Sequence, residues 1–170
     1  MRTNAVPGST RWMEPLLLFA TAAVIFIADQ ATKAQVITGI GLNERVGIVG
    51  DLVQLWHVRN NGAAFSLFQG GTLLFLVVTV LAVGMIVYFH RQFRGRSPWL
   101  QVLLGVILGG TAGNLVDRVR FGYVTDFVSV GVGEVRWPTF NVADSSIVVG
   151  IGLLVAYLVL TDRRREEVGA

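Results

Sequence analysis

Four short stretches of this 170-residue chain collect the residue types that move protons. Asp29 and Lys33 stand four apart in Asp29-Gln30-Ala31-Thr32-Lys33, so on a helix they share one face. Asn114, Asp117 and Arg118 close the run Gly109–Arg118 at spacings of three and four, again a single helical face. Asn141 and Asp144 lie about one turn apart at the head of a long apolar run, and Asp126 sits in the intervening Tyr123-Val124-Thr125-Asp126-Phe127. Two carboxylates close together in a semi-dry site cannot both ionise cheaply, so one keeps a proton and the other does not. The ionised member can take a proton from water, while the neutral one polarises a carbonyl and later protonates the departing amine. Such a pair hydrolyses a peptide bond without a covalent intermediate, and its proton affinities belong to the couple. Asp144 carries most of this argument. It lies about 5 Å along the helix axis from the helix start, and Ile147–Leu160 beyond it is apolar. An ionisable group there costs on the order of a few kcal/mol, which makes a functional role the default reading. Ordinary helix capping would use Asn141 and leave Asp144 without a task.

Other chemistries fit less well. The chain has no cysteine, which removes disulfides, thiolate metal sites and a cysteine nucleophile. Its two histidines, His57 and His90, fall on opposite sides of a membrane under the topology below, so no metal site and no cofactor is expected. Lys33 is the one lysine, and a Ser–Lys dyad with Ser66, Ser145 or Ser146 is conceivable. It would leave the carboxylates idle. A proton-coupled carrier using Asp29, Asp126 and Asp144 is a second alternative, but four short spans offer no second half or broken helix for alternating access. A third is a purely structural cluster of caps and anchors that only ties helices together. No basic stripe interleaved with aromatics suggests nucleic acid as a partner.

The elements that must position these residues are membrane helices. Hydrophobic residues make up 53% of the chain and charged ones 15%, with a mean hydropathy of +0.62. That is too little charge to cover a water-soluble surface. Four apolar runs approach the roughly 20 residues a bilayer demands. They predict helices over about 15–33, 71–90, 98–117 and 141–161 in a single domain spanning 1–170. Asp29, Gln30 and Lys33 follow the first run where a signal peptide would have a small-residue cleavage site, so it reads as a retained helix. Arg2 and Arg11, the Arg91–Arg96 loop and Arg163–Arg165 share one side, which places both termini in the cytoplasm. External segments then cover 34–70 and 118–140. In the first, Arg45–Val49 and Leu52–Val58 read as short strands and Ala63–Phe68 as a short interfacial helix. The second reads as irregular, rich in glycine and β-branched residues. Gly105, Gly109 and Gly113, four apart, predict close helix packing. The expected architecture is a mainly α four-transmembrane-helix bundle with a small external β-rich segment and an interfacial helix.

Five blocks also resemble one known family, the lipoprotein signal peptidases (signal peptidase II). They are Asp29–Lys33, Asn60–Ser66 with Gly62 inside it, Gly109–Arg118, Val124–Phe127 and Phe140–Ser145, in the family's order and spacing. The resemblance implies an aspartic endopeptidase of the bacterial cytoplasmic membrane with Asp126 and Asp144 as its dyad. It implies that Asn60, Asn114, Arg118 and Asn141 line the site, and that Asp29 and Lys33 support it, with Gly62 and Asp117 beside them. The substrate would be a prolipoprotein whose cysteine already carries diacylglycerol, cut on the amino side of that cysteine. Cyclic peptides such as globomycin would inhibit it. Membrane lipids are the remaining expected partners of what should be a monomer.

Overall fold

The computed structural model describes residues 10–62, 72–95 and 97–169. Four helices, α1 (Thr10–Gly39), α2 (Thr72–Gln92), α3 (Pro98–Phe121) and α4 (Val142–Gly169), carry a sheet of strands β1 (Arg45–Val49), β2 (Val53–Asn60), β3 (Val124–Val132) and β4 (Val135–Arg136). Three helices contain segments long and apolar enough to cross a membrane: Met13–Gly39, Pro98–Phe121 and Val142–Thr161. In α2 the apolar stretch among the described residues is Val77–Gln92. Large apolar side chains on these helices face outward; Val80 is 70% exposed and Val148 71%. A surface of that kind needs lipid, not water, against it.

α3 is the central helix. It packs on α1, on α4 and on α2. Its contact with α1 is set by small residues, as the glycine spacing predicts: a Cβ at Gly105 would fall 2.5 Å from the Leu18 carbonyl oxygen, and one at Gly109 2.6 Å from that of Ala22. On the other side a Cβ at Gly110 would lie 2.5 Å from the Ala143 carbonyl oxygen, so α4 is drawn equally close. Backbones approaching this tightly exchange dispersion contacts that lipid cannot match, which is what holds helices together where the hydrophobic effect is weak. An apolar cluster of Leu18, Ile86, Phe93, Leu100, Leu104, Ile107 and Leu154 fills the half of the bundle remote from the sheet. α3 ends at Gly122, whose φ of 77° is the left-handed turn that closes a helix, its N–H donating to the Arg118 carbonyl.

The sheet is antiparallel in the order β1-β2-β3-β4. The two strands expected in the first external segment are present, the second one running to Asn60. The second external segment corrects the sequence expectation: it is not irregular but holds the nine-residue β3 and short β4. Its β-branched alternation is the cause, and pairing with β2 satisfies a backbone that glycines made look like loop. α1 also runs further than expected at both ends, from Thr10 through Pro15 to Gly39, because no breaker lies between Lys33 and that glycine. The interfacial helix expected over Ala63–Phe68 lies outside the described residues, as does Ser66.

Candidate active site

The last three turns of α1 and the end of α3 meet through a buried ion cluster. Lys33 Nζ lies 2.8 Å from Asp29 Oδ2 and 2.9 Å from Asp117 Oδ2, with all three side chains almost wholly enclosed. The same ammonium donates to Asn114 Oδ1 at 3.1 Å. Asn114 must therefore turn its amide nitrogen the other way, and it donates to Asp144 Oδ1 at 2.7 Å. A cation on α1 thus fixes the donor that faces a carboxylate on α4.

Asp144 is held by its own helix as well. The Asn141 backbone N–H donates to Asp144 Oδ2 at 3.1 Å, and the Asp144 N–H donates to Asn141 Oδ1 at 2.9 Å. This reciprocal arrangement is a capping box. It corrects the expectation that capping would leave Asp144 without a task, because Asp144 completes the cap. With its oxygen so occupied, Asn141 points its amide nitrogen at Asp126 Oδ1, 2.7 Å away, and more distantly at Asn114 Oδ1 and the Thr125 carbonyl. Phe140 places Asn141 there: its carbonyl accepts the N–H groups of Phe127 and Val128 at 3.0 and 2.7 Å, pinning the chain ahead of α4 onto β3.

Asp126 belongs to β3. The register pairs Val58 with Asp126 and Asn60 with Val124, so Asn60 and Asp126 are diagonal neighbours on one face of the sheet. Asn60 Nδ2 donates to Asp126 Oδ2 at 2.8 Å, and Asn60 Oδ1 accepts the Gly62 N–H at 3.1 Å. Burial first, and then the negative charge of Asp144, push the Asp126 carboxyl up to about 7, against the amide donors of Asn60 and Asn141 and the more distant Lys33. Arg118 donates to the Asn114 carbonyl at 3.3 Å and stands within Coulombic range of Asp144, Asp126 and Asp117.

All ten residues singled out from sequence therefore fall in one connected neighbourhood. Three groups were missed. Gln30 donates to Asp29 Oδ2 at 3.2 Å and Asp117 Oδ1 at 3.0 Å; its i, i+3 spacing to Lys33 was the available signal. Thr125 gives its N–H to Asp117 Oδ2 at 3.3 Å. The Ala143 N–H donates to Asp29 Oδ1 at 2.9 Å, a backbone contact that leaves no trace in residue type. Lys33 is taken up by carboxylates and an amide, and Ser145 and Ser146 donate to carbonyls of their own helix, so among the described residues no Ser–Lys pair forms. His57, in β2, and His90, at the end of α2, bond to Ile40 and Gln101 respectively and do not meet.

Lipid-facing helices, a small sheet at one end and a buried polar network between them define a multi-pass membrane protein. Two solved bacterial membrane enzymes share the fold. One, determined in meso at 2.3 Å, gives a TM-score of 0.75 at 27% identity over 96% of this chain and 94% of its own. The other, at 1.9 Å, gives 0.75 at 30% identity over 83% and 91%. The family model for signal peptidase (SPase) II matches residues 21–160, and the chain belongs to that family. The lipoprotein signal peptidase of Symbiobacterium thermophilum is 40% identical over 149 residues, 88% of this chain and 98% of that one. The lipoprotein signal peptidase of Dehalococcoides mccartyi is 45% identical over 154 residues, 85% of this chain and 90% of that one.

Proposed function

We propose that this chain is a membrane aspartic endopeptidase that removes the signal peptide from diacylglyceryl-modified prolipoproteins, cutting on the amino side of the lipidated cysteine, with Asp126 and Asp144 as its dyad. Family membership supports the reaction. The observation that carries the dyad is Asn141, whose backbone N–H holds one aspartate and whose side-chain amide holds the other. One residue at a helix start thereby sets both carboxylates relative to each other. Asn114 and Asn60 each add a second donor, one to each aspartate.

Asp126, raised to about 7, keeps its proton near neutral pH beside Asp144. The ionised member takes a proton from water, which attacks the scissile carbonyl, while the neutral member donates to that carbonyl oxygen. Collapse of the tetrahedral adduct breaks the C–N bond, and the proton taken from water passes to the departing amine. Lys33, Asp29, Asp117 and Gln30 act as positioning residues through Asn114 and the start of α4. Arg118 stabilises negative charge at the rim, and Gly62 orients Asn60.

In the cell the helices form four spans in the bacterial cytoplasmic membrane. Both termini are cytoplasmic, the site lies near the exterior face, and the enzyme acts as a monomer among membrane lipids. Globomycin and similar cyclic peptides occupy the site. The carrier reading loses ground because Asp29, Lys33, Asp117, Asp126 and Asp144 gather at the sheet end of the bundle, with the apolar cluster around Leu100 and Leu104 below them. Cleavage of a diacylglyceryl prolipoprotein in detergent tests the proposal. Asp126→Asn and Asp144→Asn each lose about 10²–10⁴-fold in rate while still inserting and folding. Normal turnover by either variant refutes the dyad.

A further inference from the structure

α2 and α4 both lean on α3, and between them lies a cleft of about 310 Å³ lined by apolar side chains alone. Ala82 and Met85 of α2 form one wall, Ile151, Leu154 and Leu158 of α4 the other, and Ile107 of α3 the floor. We infer that this cleft receives the distal part of one acyl chain of the substrate's lipid anchor, a step that rests on the substrate class given above.

Level and volume both point to that occupant. Asp144 and Ile151 are seven residues apart on α4, so the upper rim lies about 10 Å below the dyad and Leu158 about 21 Å below it. A cysteine held at the dyad by its peptide bond places its glycerol and first methylenes in the gap above, and the remainder of a long chain at cleft depth. Over the roughly 10 Å from Ile151 to Leu158 a hydrocarbon chain with carbon contacts of about 4 Å needs on the order of 10² Å³ and fits the cleft's volume, whereas a signal-peptide helix, about 10–12 Å across, needs roughly 800 Å³ and does not. An extended peptide is narrower, but the apolar lining leaves its N–H and C=O groups unmet. Moving a chain from bilayer to cleft gains little hydrophobic free energy, because both surroundings are apolar. The cleft therefore registers the substrate, holding the scissile bond at the dyad, and chain length is what it reads.

The test uses the full-length enzyme in lipid micelles and a prolipoprotein whose cysteine carries two palmitoyl chains ending in diazirines. Cleavage and photolabelling are read on the same sample. The expected result is cleavage together with labelling of the α2 and α4 segments around Met85 and Leu154, well above that from a phosphatidylcholine carrying the same diazirine at equal mole fraction. Cleavage with equal labelling by the free lipid makes the cleft an ordinary lipid-filled groove and overturns the inference alone. Absence of cleavage overturns the substrate class beneath it. Independently, Ala82→Phe, which plugs the upper mouth, lowers the ratio of kcat/KM for the dipalmitoyl over a dihexanoyl substrate by about tenfold. An unchanged ratio overturns the inference even if the variant is less stable, because both substrates share one enzyme.

Discussion

The bundle buries polar side chains at both ends, and the two ends are built differently. At the sheet end, Lys33, Asp29, Asp117, Asn114 and Asn141 each have at least two partners, drawn from α1, α3, α4 and β3. At the other end Glu14, 4% exposed, accepts one bond from the Gly95 N–H at 2.7 Å. Gln101, wholly buried, accepts one from His90 Nδ1 at 2.7 Å when the ring proton sits there. Glu14 Oε2 and Gln101 Nε2 have no partner among the described residues. The first arrangement is a mesh in which every link fixes the orientation of the next; the second is a set of single ties between helix ends. Chemistry needs the mesh, because a misplacement of about 1 Å at a reacting group can cost about 10²-fold in rate. Ties suffice where only register matters.

Breaking the mesh at its centre should have the largest effect. Lys33→Met removes the one cation between Asp29 and Asp117, which are 0% and 2% exposed. Stranding buried carboxylates costs about 3–5 kcal/mol, read as a fall in midpoint on unfolding in mixed micelles. Asn114 also loses the partner that orients it, so folded enzyme should lose on the order of 10²-fold in kcat. Retention of near-normal kcat in folded Lys33→Met would show that Asn114 is oriented without it.

The seam joining the two ends comes next. Gly109→Ala puts a methyl 2.6 Å from the Ala22 carbonyl oxygen and should destabilise by about 1–3 kcal/mol. Gly84, on α2, has open space where a Cβ would go, so Gly84→Ala should stabilise by about 0.5–1 kcal/mol through helix propensity alone. Thermal midpoints of the pair, measured side by side, should move in opposite directions; a shared sign would break the packing account.

pH sharpens the same contrast without changing volume. Asp126 titrates near 7 in the folded chain against an ordinary 3.8. The folded state then binds a proton that the unfolded chain has released between those values, so this group's contribution to stability is lost as pH rises from about 4 to about 7. kcat/KM should fall above about pH 7 as the dyad loses its shared proton. The Asn60 amide favours the ionised carboxylate, so Asn60→Ala should move that limb to higher pH while lowering the plateau. A limb that stays in place would detach it from Asp126.

Helical spacing made much of the mesh readable in advance. Asn114, Asp117 and Arg118, or Asp29 and Lys33, share faces by arithmetic alone, and the glycines of α3 announce the close approach to α1. Two features were not readable. The pairing of Asn60 with Asp126 depends on a strand register between residues 66 apart in sequence, and no local pattern encodes which strands meet. β3 itself was obscured because Gly131 and Gly133 resemble loop, although Val124, Val128, Val130 and Val132 carried the strand signal. The cap at Asp144 was misjudged for a different reason: a box closed by Asn and Asp lacks the usual Ser or Thr and Glu, yet makes the same two bonds.

The smallest effect belongs to the opposite end. Glu14→Gln keeps an oxygen that can accept the Gly95 N–H and replaces the other carboxyl oxygen by an amide nitrogen. Gly95, with φ of 76°, holds the turn between α2 and α3 whichever residue accepts from it. Stability should change by about 1 kcal/mol or less and the cleavage rate by no more than about twofold, since no reacting group is moved. Glu14→Ala leaves the Gly95 N–H unmet and should cost about 1–3 kcal/mol, again with little change in rate. A kcat loss at Glu14 on the scale expected for Lys33 would mean that the two ends are coupled through the bundle, and that register at the far end is part of catalysis.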